Sequence, residues 1–105
     1  MTTLPPEACT SMVEVRAGVD ALDAELVALL ARRFGYMRAA ARIKASRDAV
    51  RDEGRKAQVI ANASRNALAQ GLPADVAPQL WEWLVERSIA YELVEWDDIR
   101  SKAAE

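Results

Sequence analysis

Between Ser11 and Ser46, apolar residues recur at Val15, Val19, Leu22, Leu26 and Leu29, in steps of four and three. That is the spacing of one face of an α-helix. The same stepping continues through Arg33, Met37, Ala40 and Lys44, so the apolar stripe turns basic partway along. Ser11 followed by Glu14 has the form of a capping box at the start. Gly18 opposes the helix in its interior, at a cost of about 1 kcal/mol relative to alanine. A helix over 11–46 is roughly 50 Å long. A compact chain of about 100 residues has a radius of gyration of about 13 Å. The residues left over cannot cover such a stripe, so the pattern predicts a dimer with exchanged helices.

The rest of the chain divides by its punctuation. Residues 1–10 read as a tail, with Pro5 and Pro6 disfavouring a helix there. Residues 47–51 read as a connector. A second helix is expected from Asp52 to about Ala69, with Val59, Ile60, Ala63 and Leu68 as its apolar positions. Gln70-Gly71-Leu72-Pro73 stops it, because Gly71 suits the C′ position and Pro73 cannot continue the helix. Asp75 is the expected N-cap of a third helix, with Pro78 tolerated in its first turn. That helix carries Leu80, Trp81, Leu84, Val85, Ile89, Leu93, Val94 and Trp96, and is expected to end between Asp98 and Lys102. No strand alternation or repeat is present. The reading is an all-α chain of three helices, one very long, forming one domain over 11–102 in an intertwined homodimer, with the three tryptophans in the dimer core.

Composition narrows the chemistry. The 105 residues are 51% hydrophobic and 29% charged, with a net charge of −2, which gives no global attraction to nucleic acid or to an anionic membrane. Leu26–Ala31 is too short to span a bilayer, and the N-terminus lacks a signal-peptide pattern, so a cytoplasmic protein is expected. A single cysteine, Cys9, cannot form an internal disulfide and is a poor nucleophile candidate in a tail. No histidine is present, which removes histidine bases and histidine metal ligands. Neither a metal nor a cofactor is implied, and no phosphate-loop or dinucleotide fingerprint occurs.

What remains is a set of charges at helical spacing. Lys44 lies about three turns beyond Arg33, roughly 20° away around the helix and about 16 Å along it. Met37, Ala40 and Ala41 lie between, and the two cations could flank a slot for a small dianion. Equally, both could snorkel to solvent from the stripe's edge. Arg16 lies near the start of the same helix and could approach a partner's slot in an antiparallel dimer. Asp52 and Arg55 are one turn apart, the spacing of an ordinary surface pair. Ser88 and Glu92 are one turn apart on the apolar side of the third helix. A carboxylate there needs a cationic partner or a proton.

Together these residues resemble the all-helical chorismate mutases over about residues 10–97. The pattern is Arg16, Arg33 within Ala-Arg-Arg, Lys44, Val50-Arg51-Asp52 with Arg55 three positions on, then Ser88 with Glu92. The resemblance implies an intertwined dimer of three-helix chains with two equivalent sites. The segments Pro6–Thr10 and Lys44-Ala45-Ser46 look like the isochorismate-pyruvate lyases of salicylate synthesis, which share the fold. The stretch from Val50 to Arg55 and the Ser88/Glu92 pair look more like true mutases. Two departures stand out. Lys56 occupies the place where mutases usually carry a glutamate for the ring hydroxyl, and Glu92 stands where many members have glutamine.

The resemblance implies a [3,3] rearrangement of chorismate to prephenate, with no covalent intermediate and no cofactor, driven by positioning and electrostatics. Arg33, and Arg16 donated by the other chain, would grip carboxylates. Lys44 would bond the ether oxygen and a carboxylate. Arg55 would support the ring or enolpyruvyl side, with Asp52 near the ring hydroxyl and Ser88 at the ring carboxylate. Glu92 would donate to the ether oxygen, which requires its protonated form. Other readings are an isochorismate-pyruvate lyase with the same site, an amino-deoxychorismate mutase and, last, a non-catalytic helical interaction dimer. That last reading leaves cations on the stripe in place of leucine without a purpose.

Overall fold

The Ser11–Glu14 capping box forms. The Glu14 backbone N–H donates to Ser11 Oγ at 3.3 Å, and the Ser11 hydroxyl donates to Glu14 Oε1 at 3.0 Å. Glu14 reaches one residue further back than the pattern predicts, accepting from the Thr10 N–H at 2.9 Å. That bond, then the one from Ser11, holds the Glu14 carboxyl below its ordinary range. A computed structural model describes residues 3–104 of the chain, so residues 1 and 2 of the expected tail lie outside the described residues. Three α-helices follow in order: α1 (Met12–Ile43), α2 (Glu53–Gln70) and α3 (Val76–Ala104). Among the described residues there is no strand. No helix among them is long and apolar enough to cross a membrane.

Two single turns of 3₁₀ helix fall where irregular chain was expected. Pro6–Ala8 forms one within the tail, because proline at the first helical position gives up no needed N–H. Arg47–Ala49 forms the other, in the connector. α2 starts at its predicted cap, with the Asp52 carboxylate accepting from the Arg55 N–H at 2.9 Å. It ends at Gly71, whose φ of 75° places it in the left-handed region. The Leu72 N–H then reaches the Ala67 carbonyl at 2.9 Å and the Gly71 N–H the Leu68 carbonyl at 3.3 Å, a Schellman closure.

The chain separates into two compact units, Met1–Gly35 and Tyr36–Glu105, with the boundary inside α1. In the first, the tail lies beside the start of α1: the Leu4 carbonyl oxygen is 3.9 Å from where a Cβ on Gly18 would stand. Tail and helix bound a groove of about 480 Å³ lined by Leu4, Pro5, Cys9, Val15, Val19 and Leu22, among others. The stripe itself faces solvent in the single chain, with Leu22 56%, Leu26 55% and Leu29 55% exposed.

The second unit holds the buried core. Val50, Val85 and Ile89 form one cluster, covered by Val59, Trp81, Leu93 and Trp96. Ala63, Ala67 and Ala77 form another under Trp81. The alanines one turn apart on α2 let α3 approach closely, so Ala67 takes the inward position and the expected Leu68 is 83% exposed. The tryptophans divide within the single chain. Trp81 and Trp96 pack on the core of their own chain, and Trp83 is turned outward. The third-helix spacing explains this: Trp81, Leu84, Val85 and Ile89 share one face, and Trp83 lies off it.

Candidate active site

Ser88 and Glu92 are both buried, one turn apart on the inward face of α3. The Ser88 hydroxyl donates to the Leu84 carbonyl at 2.6 Å, the back-bond a helical serine makes when solvent is out of reach. Glu92 is met by Lys44, the first residue after α1, whose Nζ lies 2.7 Å from Glu92 Oε2. The carboxylate side chain is only 5% exposed and the lysine 30%. A buried charge is tolerable only when paired, and this pair satisfies that condition with its cationic end toward solvent. Lys44 Nζ also reaches the Val50 carbonyl at 3.4 Å. An ammonium has three protons. The third has no acceptor among the described residues, so Lys44 can still bond an incoming anion.

The backbone around Lys44 is held from α3. The Lys44 N–H continues the helical ladder to the Ala40 carbonyl at 2.9 Å. Its own carbonyl accepts from Trp96 Nε1 at 3.1 Å and from the Arg100 guanidinium at 2.8 Å. Arg100 donates in addition to the Ala41 carbonyl at 2.6 Å, and its Cζ lies 4.3 Å from the centre of the Trp96 ring. Two residues beyond the Lys44 carbonyl's neighbour, Arg47 pairs with Asp97 through Nε and Nη2 at 2.9 and 3.2 Å. That bond lowers the Asp97 carboxyl and raises the Arg47 guanidinium from their ordinary ranges.

Asp52 and Arg55 do not form the side-chain pair that their spacing suggests. Asp52 is occupied as the α2 cap, and the Arg55 guanidinium donates to Gln58 at 2.7 Å. Lys56 turns to α3, with Nζ 2.8 Å from Glu82 and 2.9 Å from Glu86. Arg51 takes Glu86 and Glu53, each at 2.8 Å. Arg51 first, then Lys56, draws the Glu86 carboxyl down to about 2. These charges tie α2 and its lead-in to α3; the bonds of the exposed Arg51 are weak, while Lys56 is half-buried between the helices. Arg16 is exposed and Arg33 half-buried, both in the Met1–Gly35 unit. The second unit thus brings together Lys44, Glu92 and, a turn away, Ser88; Asp52 and Arg55 mark the first turn of α2.

A profile described as chorismate mutase type II matches residues 15–93. The chain belongs to this family. An isochorismate pyruvate lyase from Pseudomonas aeruginosa is 33% identical to it over 98 residues, covering 93% of this chain and 97% of that one. In this family member every candidate residue from Arg16 to Glu92 falls inside the matched span. Trp96, Asp97 and Arg100 fall beyond it, and the sequence reading gave them no part in the site, taking Trp96 as a packing residue only. The signal for two of them was present as an aromatic and a cation one turn apart, a pairing that needs tertiary structure to show which carbonyls it serves.

Proposed function

We propose that the protein is a chorismate mutase, converting chorismate to prephenate by a pericyclic rearrangement. The observation that carries this reading is the Lys44–Glu92 pair, a half-exposed ammonium backed by a buried carboxylate. Lys44 donates to the substrate's ether oxygen and a carboxylate. In its protonated form, Glu92 donates to the same ether oxygen as charge develops there. Ser88 serves the ring carboxylate, and Arg55, at the start of α2, the ring or enolpyruvyl side with Asp52 at the ring hydroxyl. Arg33 and the Arg16 of a second chain take carboxylates, for which a planar two-pronged guanidinium is suited. No covalent step or cofactor is required.

A second reading is an isochorismate-pyruvate lyase using the same residues. It is favoured by the full-length likeness to the Pseudomonas aeruginosa lyase. Lys56, engaged with Glu82 and Glu86, offers no acceptor for a ring hydroxyl, which fits a substrate with a differently placed substituent. Supplying purified protein with chorismate and with isochorismate in parallel separates the two. Loss of chorismate absorbance with prephenate formed is the expected result. Salicylate and pyruvate from isochorismate, without turnover of chorismate, would replace the mutase reading with the lyase one.

A further inference from the structure

The chemistry assigned to Lys44 depends on where its ammonium stands, and that is not fixed by α1 alone. Lys44 is the residue at which α1 stops, followed by Ala45 and Ser46 in non-helical conformation. A long side chain on a helix end beside an exposed connector has many rotamers and a fraying backbone. The last carbonyls of a helix have no partners within it. Here three donors from one turn of α3 supply them: Arg100 to Ala41, and Arg100 with Trp96 to Lys44. The donors are pre-arranged. The guanidinium lies over the Trp96 ring at 4.3 Å, which orients both groups toward the same carbonyl. Asp97, between them in sequence, holds Arg47 on the far side of Ala45 and Ser46. The connector carrying Lys44 is therefore pinned before and after its two non-helical residues, from the same helix that presents Glu92.

We propose that Trp96 and Arg100 are positioning residues that fix the Lys44 backbone and so hold its ammonium at Glu92. This deepens the functional reading above and rests on it for the catalytic consequence, while the structural part stands separately. Neither residue touches the ammonium; both act through the peptide that bears it. A guanidinium suits the task because its planar fork presents two N–H groups in fixed directions, one to each carbonyl, and stacks on the Trp96 ring at the same time.

Two measurements on Arg100→Met, Arg100→Lys and Trp96→Phe test it, with circular dichroism confirming the fold of each. The first is acylation of Lys44 by an amine-reactive reagent, read by mass spectrometry, with Lys102 as an exposed internal standard. Release of the clamp is expected to raise Lys44 labelling several-fold in Arg100→Met, less in Arg100→Lys and in Trp96→Phe, which loses the indole N–H and part of the ring but leaves both Arg100 donors in place. The second is turnover of whichever substrate the wild-type protein uses. A displacement near 1 Å at a reacting group costs about 100-fold, so Arg100→Met is expected to lower kcat by about 10- to 100-fold with a smaller change in KM, and Arg100→Lys to recover part of it. Unchanged Lys44 labelling in folded Arg100→Met overturns the clamp. Raised labelling with unchanged kcat overturns its role in catalysis. Raised labelling in a protein whose wild type turns over neither chorismate nor isochorismate leaves the clamp standing and removes the functional reading instead. Trp96→Phe supplies the same decision if Arg100→Met does not fold.

Discussion

Glu92 and Lys44 are 48 positions apart in sequence and 2.7 Å apart in the fold. The choice of glutamate over glutamine at this position has a consequence that can be measured. A carboxylate accepts but cannot donate, a carboxylic acid can donate, and an amide donates at every pH. If Glu92 bonds the ether oxygen, it does so in its protonated form, so Glu92→Gln, which offers a donor at every pH, is expected to retain activity. A folded Glu92→Gln protein that is inactive at every pH would remove Glu92 as a neutral donor. These two residues were legible beforehand because each breaks an apolar pattern: Lys44 ends the α1 stripe, and Glu92 sits among Trp81, Leu84, Val85 and Ile89 on α3. Lys56 was legible only as a departure. Its partners Glu82 and Glu86 are two of several acids on α3, and which of them a lysine meets is set by how α2 and α3 cross, not by either sequence.

At the level of elements, the contact between α2 and α3 combines an alanine-lined apolar seam with a charged margin. That margin should make acid stability a property of the helix pair. Glu86 is drawn from 4.5 to about 2, with Arg51 the larger cause and Lys56 the next. A carboxyl depressed in the folded state contributes stability that is fully present above its unfolded value and is lost as pH falls through the folded one. The expected loss therefore falls between pH 4.5 and about 2. Thermal unfolding followed across that interval should show Tm declining, and Glu86→Gln should start lower at neutral pH and decline less. A residual slope is expected from Asp97 and Glu14, which are lowered by their own partners. Identical slopes for the two proteins would show that the margin contributes nothing. Helix boundaries show the same division between local and tertiary causes. Ser11, Asp52 and Gly71 marked ends correctly because each works through bonds within a turn or two. α1 was expected to reach Ser46 and stops at Ile43. No glycine or proline marks that end, and the carbonyls there are taken by Trp96 and Arg100, more than fifty residues away.

For the whole molecule, the apolar stripe of α1 is the unfinished part of a single chain. Val19 is 49% exposed, Leu22 56%, Leu26 55% and Leu29 55%, a contiguous row of a kind that marks an interface. Among the described residues the buried hydrophobic core comes entirely from Ala41 onward, so most of this stripe is left uncovered within one copy. A second copy is the occupant expected for it, and the functional reading adds that the partner brings Arg16 to the site that contains Arg33. Complementation tests both ideas together. An Arg16→Ala chain and an Arg33→Ala chain are each expected to be inactive alone. Refolded together at equal concentration, half of the dimers should be mixed. In each mixed dimer one site draws its Arg33 from the first chain and its Arg16 from the second, so one site is intact and the other lacks both. Recovery should therefore approach about a quarter of wild-type activity. If each site used Arg16 and Arg33 from the same chain, mixing would restore nothing, because every site would still lack one of them. Mixed dimers demonstrated by mass spectrometry but without activity would thus remove the shared site while leaving the dimer, and sedimentation as a monomer would remove both.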